Sequence, residues 1–298
     1  MTAELTAAQV RHFDTFGFVV RPQLLTSAET EGIVAAFEAV MASDRAGESF
    51  RGDKRHSVVA CAERHPAMRA LIDDPRIVRP IEQVFRQPIM WWGSDGNYYV
   101  GDTAWHPDGC DLELALRRIK VSLYLDPVDG DSGAIRFIPG SHRNPMHGEL
   151  EVLQVERTRQ VIAEGRGDPS QLDEYRERGF DVEAADPAFG VEYDSLPCQV
   201  VASRPGDVVF FDQNLFHASF GGRSGRRMFT LCYCTVPEDE PARADMQRSY
   251  EGSHRAVQAL SYSGATPAAD GVHHPAVLHT DRPTLRRLTE PLVERGWV

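Results

Sequence analysis

The sequence predicts a mainly β fold, a sandwich or jelly roll, with helices laid ahead of it. Two observations carry that reading. From Ile89 onward the apolar residues recur with a period of two, in short stretches at 89–92, 97–101, 117–126, 133–138, 199–202 and 207–212, and in a last run from Arg226 to Thr235. Turn-forming clusters separate these stretches: Asp129-Gly130, Pro139-Gly140-Ser141 and Arg204-Pro205-Gly206.

Ahead of Ile89 the apolar period is helical. Thr6 and Gln9 have capping-box spacing, Leu5 is placed to staple onto Val10, and this helix is expected to end near Phe16-Gly17. Phe18-Val19-Val20 reads as a short strand. Thr26 and Glu29 repeat the capping-box spacing, and Ile33, Val34, Phe37, Val40 and Met41 follow on one helix face. Residues 44–56 read as a polar loop, and 67–72 and 76–85 as two helical segments around Asp74-Pro75. Residues 143–198 interrupt the β pattern with Glu, Asp, Arg and Gly and one helical candidate, 150–163. They read as an insertion on the barrel rim, either a lid or a solvated excursion. The tail after Pro237 is polar and closes with a helix over 284–295. The whole reads as one domain over 1–298: helical support at 1–88, β core at 89–142 and 199–236, insertion at 143–198 and a C-terminal extension at 237–298.

The net charge of −12, from 44 acidic against 32 basic residues, argues against nucleic acid or an anionic membrane as the partner. Five cysteines, an odd number with no Cys-x-x-Cys, argue against a disulfide framework or thiolate zinc site and suit a reducing cytoplasm. The N-terminus lacks the pattern of a secretory signal, and no apolar run is long enough to span a bilayer.

The chemistry centres on Trp105-His106-Pro107-Asp108-Gly109. On an extended segment, residues i and i+2 face the same side, so His106 and Asp108 project together. With a distant second histidine they would form a 2-His-1-carboxylate set, which leaves positions open on a non-haem Fe(II). The pair alone is not specific: His12-Phe13-Asp14 and His279-Thr280-Asp281 have the same spacing. The first lies in a helical pattern and the third in a Pro-flanked tail. Only the middle copy has a partner at the end of a later strand, His217. Alone, either histidine would pass for a turn or strand-end residue. Along the strand 118–126, Lys120, Ser122 and Tyr124 share a face too polar for a dry core but suited to a ligand-holding barrel. The last strand begins with Arg226-Arg227, and an arginine there suits a carboxylate beside the metal.

These motifs resemble the phytanoyl-CoA dioxygenase family of Fe(II)/2-oxoglutarate oxygenases. His106-x-Asp108 matches that family's first two ligands. Asp131 through His142 resembles its strand ending in a Gly-Ser-His turn, and Gly206-Asp207 through His217-Ala218-Ser219 its distal ligand segment. The resemblance covers about 5–140 and 200–236. It implies a double-stranded β-helix, with Fe(II) on His106, Asp108 and His217. It also implies 2-oxoglutarate as co-substrate, with its distal carboxylate on Arg226 and with Ser219, Lys120 and Ser122 near it. O2 is the oxidant and a small molecule the substrate. The substrate pocket is expected to involve Asn97, Trp105, Tyr124 and Arg136. Ser122 stands where some relatives carry an aromatic, and Arg227 and Lys120 are the alternatives to Arg226. Asp108 stands where related halogenases have Gly or Ala, which favours hydroxylation over chlorination. Trp91, Trp92, Tyr98 and Tyr99 read as core, His142 as structural, and His273 and His274 as surface tail residues. Two rivals stand beside this: a cupin-like metal enzyme that does not use 2-oxoglutarate, and a non-catalytic jelly-roll ligand-binding module.

Overall fold

The structure is a computed structural model that describes residues 2–108, 116–163, 167–183, 195–259 and 273–297, the side chains of 160, 249 and 251–259 excepted. Gly109 and Cys110, with parts of the 143–198 segment and of the C-terminal extension, lie outside the described residues.

The chain opens with α1 (Ala7–Phe16), β1 (Phe18–Arg21) and α2 (Ser27–Asp44). Both expected capping boxes form: Thr6 with Gln9, and Thr26 with Glu29. Gly17 ends α1 in the left-handed conformation, at φ 84°, which glycine adopts without strain. Next come β2 (His56–Val59), a short 3₁₀ turn at Ala62–Arg64, α3 (Pro66–Arg69) and α4 (Pro75–Phe85). The β framework follows: β3 (Ile89–Tyr99), β4 (Thr103–His106), β5 (Arg118–Tyr124) and β6 (Ile135–Phe137). After α5 (Met146–Leu150), α6 (Val152–Ala163) and α7 (Gln171–Glu177), it resumes with β7 (Gln199–Val201), β8 (Val208–Asp212), β9 (His217–Ser219) and β10 (Arg226–Thr235). Helices α8 (Glu240–Ala259), α9 (Pro275–Leu278) and α10 (Pro283–Glu294) close the chain.

The strands form two antiparallel sheets, six-stranded in the order β1-β8-β5-β10-β3-β2 and four-stranded in the order β4-β9-β6-β7. This is the jelly roll expected from the sequence. On the six-stranded sheet, alternation divides the side chains as the period of two requires. Phe229, Leu231 and Tyr233 of β10 join Ile119, Val121 and Leu123 of β5 in the large core shared with the helices. Met228 and Tyr124 turn the other way, into the space between the sheets.

The structure corrects several expected elements. β3 is one continuous strand where two were expected. Gly96 breaks the apolar alternation because a Cβ there would collide with the Cys61 thiol. β2 falls at the end of the expected 44–56 loop and pairs with β3, His56 opposite Tyr98. The polar tail contains α8, and the helix expected at 150–163 forms as α6, preceded by a short α5 that was not expected. His273 is buried, not a surface residue: its ring contacts the Glu63 carboxylate at 3.2 Å, to which Trp91 Nε1 donates at 2.7 Å and the His274 amide at 2.6 Å. That buried carboxylate ties the start of the last described segment to the N-terminal helical layer. Among the described residues, no helix is long and apolar enough to cross a membrane.

Candidate metal centre and cavity

Strand pairing closes the gap between the two distant histidines. β4 runs antiparallel to β9 with His106 directly opposite His217. Side chains so placed start only about 5 Å apart at Cβ, and the two rings lie 4.4 Å apart. Two residues on, the Asp108 amide donates to the Gln213 carbonyl at 2.8 Å, which holds Asp108 against the loop leading into β9. Asp108 Oδ2 is then 3.5 Å from His217 Nε2. Among the described residues, His106, Asp108 and His217 form the one cluster with metal-ligand geometry, their ligand atoms within 4.8 Å of one another. His12, within α1, instead contacts the Phe18 carbonyl of β1, and His279 stands at the C-cap of α9.

Backbone contacts fix which nitrogen each imidazole presents. His106 Nδ1 lies 2.7 Å from the Ala104 carbonyl and His217 Nδ1 2.9 Å from that of Leu215. A carbonyl only accepts, so Nδ1 carries the proton and Nε2 keeps its lone pair toward the cluster. Burial, with the neighbouring His217, pushes His106 down to about 3, and burial also lowers His217. Both rings are therefore neutral at physiological pH, the form a metal needs. Burial alone would raise the Asp108 carboxyl, but the adjacent Lys120 ammonium outweighs it, and the group lies below the usual carboxylate range. Lys120 Nζ sits 2.9 Å from Asp108 Oδ2. Burial would lower this ammonium, but Asp108 and Asp95 hold it above its ordinary value. Two neutral imidazoles and one carboxylate are the donor set that non-haem Fe(II) sites use.

The cluster opens onto a cavity of about 90 Å³ between the sheets. Its wall also includes Arg226, which is 1% exposed. Arg226 Nη2 donates to Ser219 Oγ at 3.2 Å, while Nε and Nη1 have no partner within the protein. Two glycines make room for this guanidinium. A Cβ on Gly133, at φ 87°, or on Gly222 would overlap it. Ser122 Oγ, in the same wall, is also buried without a partner. Arg227 faces the other way: its fork pairs with Asp126 at 2.7 and 3.1 Å and reaches Glu38 at 2.8 Å.

Of the residues the sequence nominated, Lys120, Ser122, Tyr124, Ser219 and Arg226 line the cavity together with the three ligand candidates. Three do not. Asn97 is fully buried beside it, accepting from Arg55 and Ser57. Trp105, also fully buried, points away from the cavity, because i and i+1 of β4 face opposite sides. It packs with Leu150, Leu153 and Phe216 under the segment that carries α5 and α6. Arg136 bonds the Gly130 carbonyl at 2.6 Å and stacks on Phe220. Sequence reasoning missed Arg55 and Tyr99, both in the cavity wall. Tyr99, expected in the core, faces the cavity instead. No local pattern marks it; its place opposite Arg226 in the β3–β10 register brings it to the cavity.

The profile of the phytanoyl-CoA dioxygenase (PhyH) family matches residues 13–229. A search of curated protein sequences finds no match. Among solved structures, the fold is similar to the non-haem α-ketoglutarate-dependent carbocyclase SnoK from nogalamycin biosynthesis (21% identity, 78% of this chain and 85% of that one, TM-score 0.56). It is also similar to the epimerase SnoN in complex with Fe3+, α-ketoglutarate and nogalamycin RO (18%, 77% and 83%, TM-score 0.53). EctD from S. alaskensis with bound Fe is a third (21%, 78% and 77%, TM-score 0.53). At these identities the likeness is one of fold. The family match spans most of the chain, and this protein belongs to the phytanoyl-CoA dioxygenase family.

Proposed function

We propose that this protein is an Fe(II)- and 2-oxoglutarate-dependent dioxygenase that hydroxylates an unactivated C–H bond of a small metabolite or natural-product intermediate. One observation carries the reading: two neutral imidazoles and a carboxylate converge on a cavity whose wall holds a buried guanidinium with unpartnered N–H groups. The first set fits Fe(II). The second fits a carboxylate, since a buried N–H without a partner is costly and an entering anion would satisfy it.

In this reading His106, Asp108 and His217 hold the metal, and Arg226, steadied by Ser219, takes the distal carboxylate of 2-oxoglutarate. Together the metal and co-substrate supply an oxidant from O2, with 2-oxoglutarate leaving as succinate and CO2. The chain's own share is placement. The Ala104 and Leu215 carbonyls hold the two Nε2 lone pairs inward, and Lys120 holds Asp108 ionised. Ile135, Phe211 and Met228 keep part of the cavity apolar, which limits water beside a reactive centre. A cytoplasmic location belongs to the same reading, because the four described cysteines are all unpaired.

Hydroxylation is the finer part of the proposal, since the similar folds include a carbocyclase and an epimerase. Succinate formation that requires Fe(II), O2 and 2-oxoglutarate tests the class. It also separates this reading from a metal enzyme without 2-oxoglutarate and from a binding module. Incorporation of one atom of 18O2 into the product tests the reaction type, and a product formed without that atom would refute hydroxylation.

A further inference from the structure

Resting on the dioxygenase reading, we propose that the organic substrate carries an anionic group, a carboxylate or phosphate, and that Arg55 at the rim of the cavity binds it.

Arg226 opens β10 and is paired with Tyr99 of β3, and Arg55 immediately precedes β2, whose His56 pairs with Tyr98. The three residues therefore form a row across neighbouring strands, and the backbones of the two arginines are about two strand spacings, roughly 10 Å, apart. Both guanidiniums lie over the Tyr99 ring, Arg55 at 4.2 Å and Arg226 at 5.1 Å from its centre. Arg226 is sealed from solvent, whereas Arg55 is part-exposed, so it meets what enters the cavity after the co-substrate is in place.

Arg55 is also held ready. Its Nε and Nη2 donate to Asn97 Oδ1 at 2.9 and 2.7 Å, and Nη2 reaches the Tyr99 hydroxyl at 3.2 Å. Asn97 is in turn fixed by Ser57 and by Asp95, whose other oxygen accepts from Thr230. A guanidinium braced along one edge has lost its rotamer freedom before a ligand arrives, which lowers the cost of binding.

Charge points the same way. The charged groups lining the cavity are Arg55, Lys120 and Arg226 against Asp108 alone. Asp95, behind Asn97, also acts on Lys120; Fe(II) and the 2-oxoglutarate dianion would cancel each other, which leaves an excess of one positive charge in a protein of net charge −12. An anionic substrate relieves that excess, and a cationic one adds to it.

The test uses protein loaded anaerobically with Fe(II) and saturating 2-oxoglutarate, titrated with benzoate, phenyl phosphate and benzamide. Binding is followed by calorimetry and thermal shift. Wild type should bind at least one of the two anions at least tenfold more tightly than neutral benzamide. Arg55→Gln should abolish that preference, Arg55→Lys should keep part of it, and both should melt cooperatively and bind 2-oxoglutarate within threefold of wild type. The proposal is overturned if benzamide matches the anions, if neither anion binds, if Arg55→Gln keeps the preference, or if Arg55→Gln weakens 2-oxoglutarate tenfold or more. That last result would assign Arg55 to the co-substrate. If wild type fails to bind 2-oxoglutarate at all, the dioxygenase reading falls instead, and the anion preference is decided by the same criteria with Fe(II) alone.

Discussion

Replacing Arg226 with Ala removes a guanidinium that is 1% exposed and has two of its nitrogens, Nε and Nη1, without a partner in the protein. An arginine–carboxylate contact shielded from water is worth roughly 2–5 kcal/mol on truncation, or roughly thirty-fold to several thousand-fold in affinity. Arg226→Ala should therefore raise the Kd for 2-oxoglutarate by at least thirty-fold, measured by anaerobic calorimetry on metal-loaded protein. Metal content should not change, because Arg226 is not among the metal-ligand candidates. Arg226→Lys keeps the charge but loses the fork and should fall between. Arg227→Ala is the internal control. Its guanidinium pairs with Asp126 and Glu38 on the opposite face, so the variant should lose stability and leave 2-oxoglutarate affinity within threefold. If Arg226→Ala binds 2-oxoglutarate within threefold of wild type while Lys120→Ala does not, the assignment of the anchor is wrong.

Further outcomes follow from the same geometry. Gly133→Ala places a Cβ on the Arg226 guanidinium at a backbone φ of 87° and should weaken 2-oxoglutarate at least tenfold with the metal retained; unchanged calorimetry would refute the packing argument. Trp105→Ala empties a fully buried site beneath α5 and α6 and should cost about 3–5 kcal/mol in denaturant unfolding, whereas a loss confined to substrate binding would return Trp105 to the pocket. Burial holds the Asp212 carboxyl up at about 6, opposed by the Asn214 amide, Arg117 and Arg143. A raised carboxyl makes the folded state the better proton binder, so the contribution of this one group to stability is full below about pH 4 and is lost, about 3 kcal/mol in all, as pH rises through about 6; Asp212→Asn should remove that component of the slope, and parallel curves for the two proteins would contradict it. With a carboxylate at 108 filling the position halide would need, unmodified enzyme supplied with chloride should give no chlorinated product, by mass spectrometry.

Much of the fold was legible because alternation and turn chemistry are local. The parity of β10 puts Arg226 and Arg227 on opposite faces, and the structure shows that the face of Arg226 is the one that lines the cavity. Less legible was whatever depends on which surface covers a strand. Trp105 and Arg136 lie on strands of the four-stranded sheet, whose outer face is covered by a segment of weak pattern, so inward and outward could not be told apart. β9, three residues long, and β2, at the end of a polar loop, are too short to show a period. Arg55 and Tyr99 reach the cavity only through the pairing of β2, β3 and β10. His273 is buried through Glu63, which lies 210 residues away in sequence, and no local pattern encodes such a contact. The ligand candidates themselves were found through spacing and family resemblance, and the register of β4 against β9 supplies the physical reason that they meet.

The central claim is that His106, Asp108 and His217 hold one Fe(II) on which 2-oxoglutarate and O2 act. Its most direct measurement is anaerobic titration of wild type, His106→Ala, Asp108→Ala and His217→Ala with Fe(II), with His12→Ala and His279→Ala as controls, followed by succinate formation on admission of O2 and 2-oxoglutarate. The account expects one iron per chain and succinate in wild type and both controls, and neither tight iron nor succinate in the three ligand variants. Full iron binding and turnover in His217→Ala would contradict it.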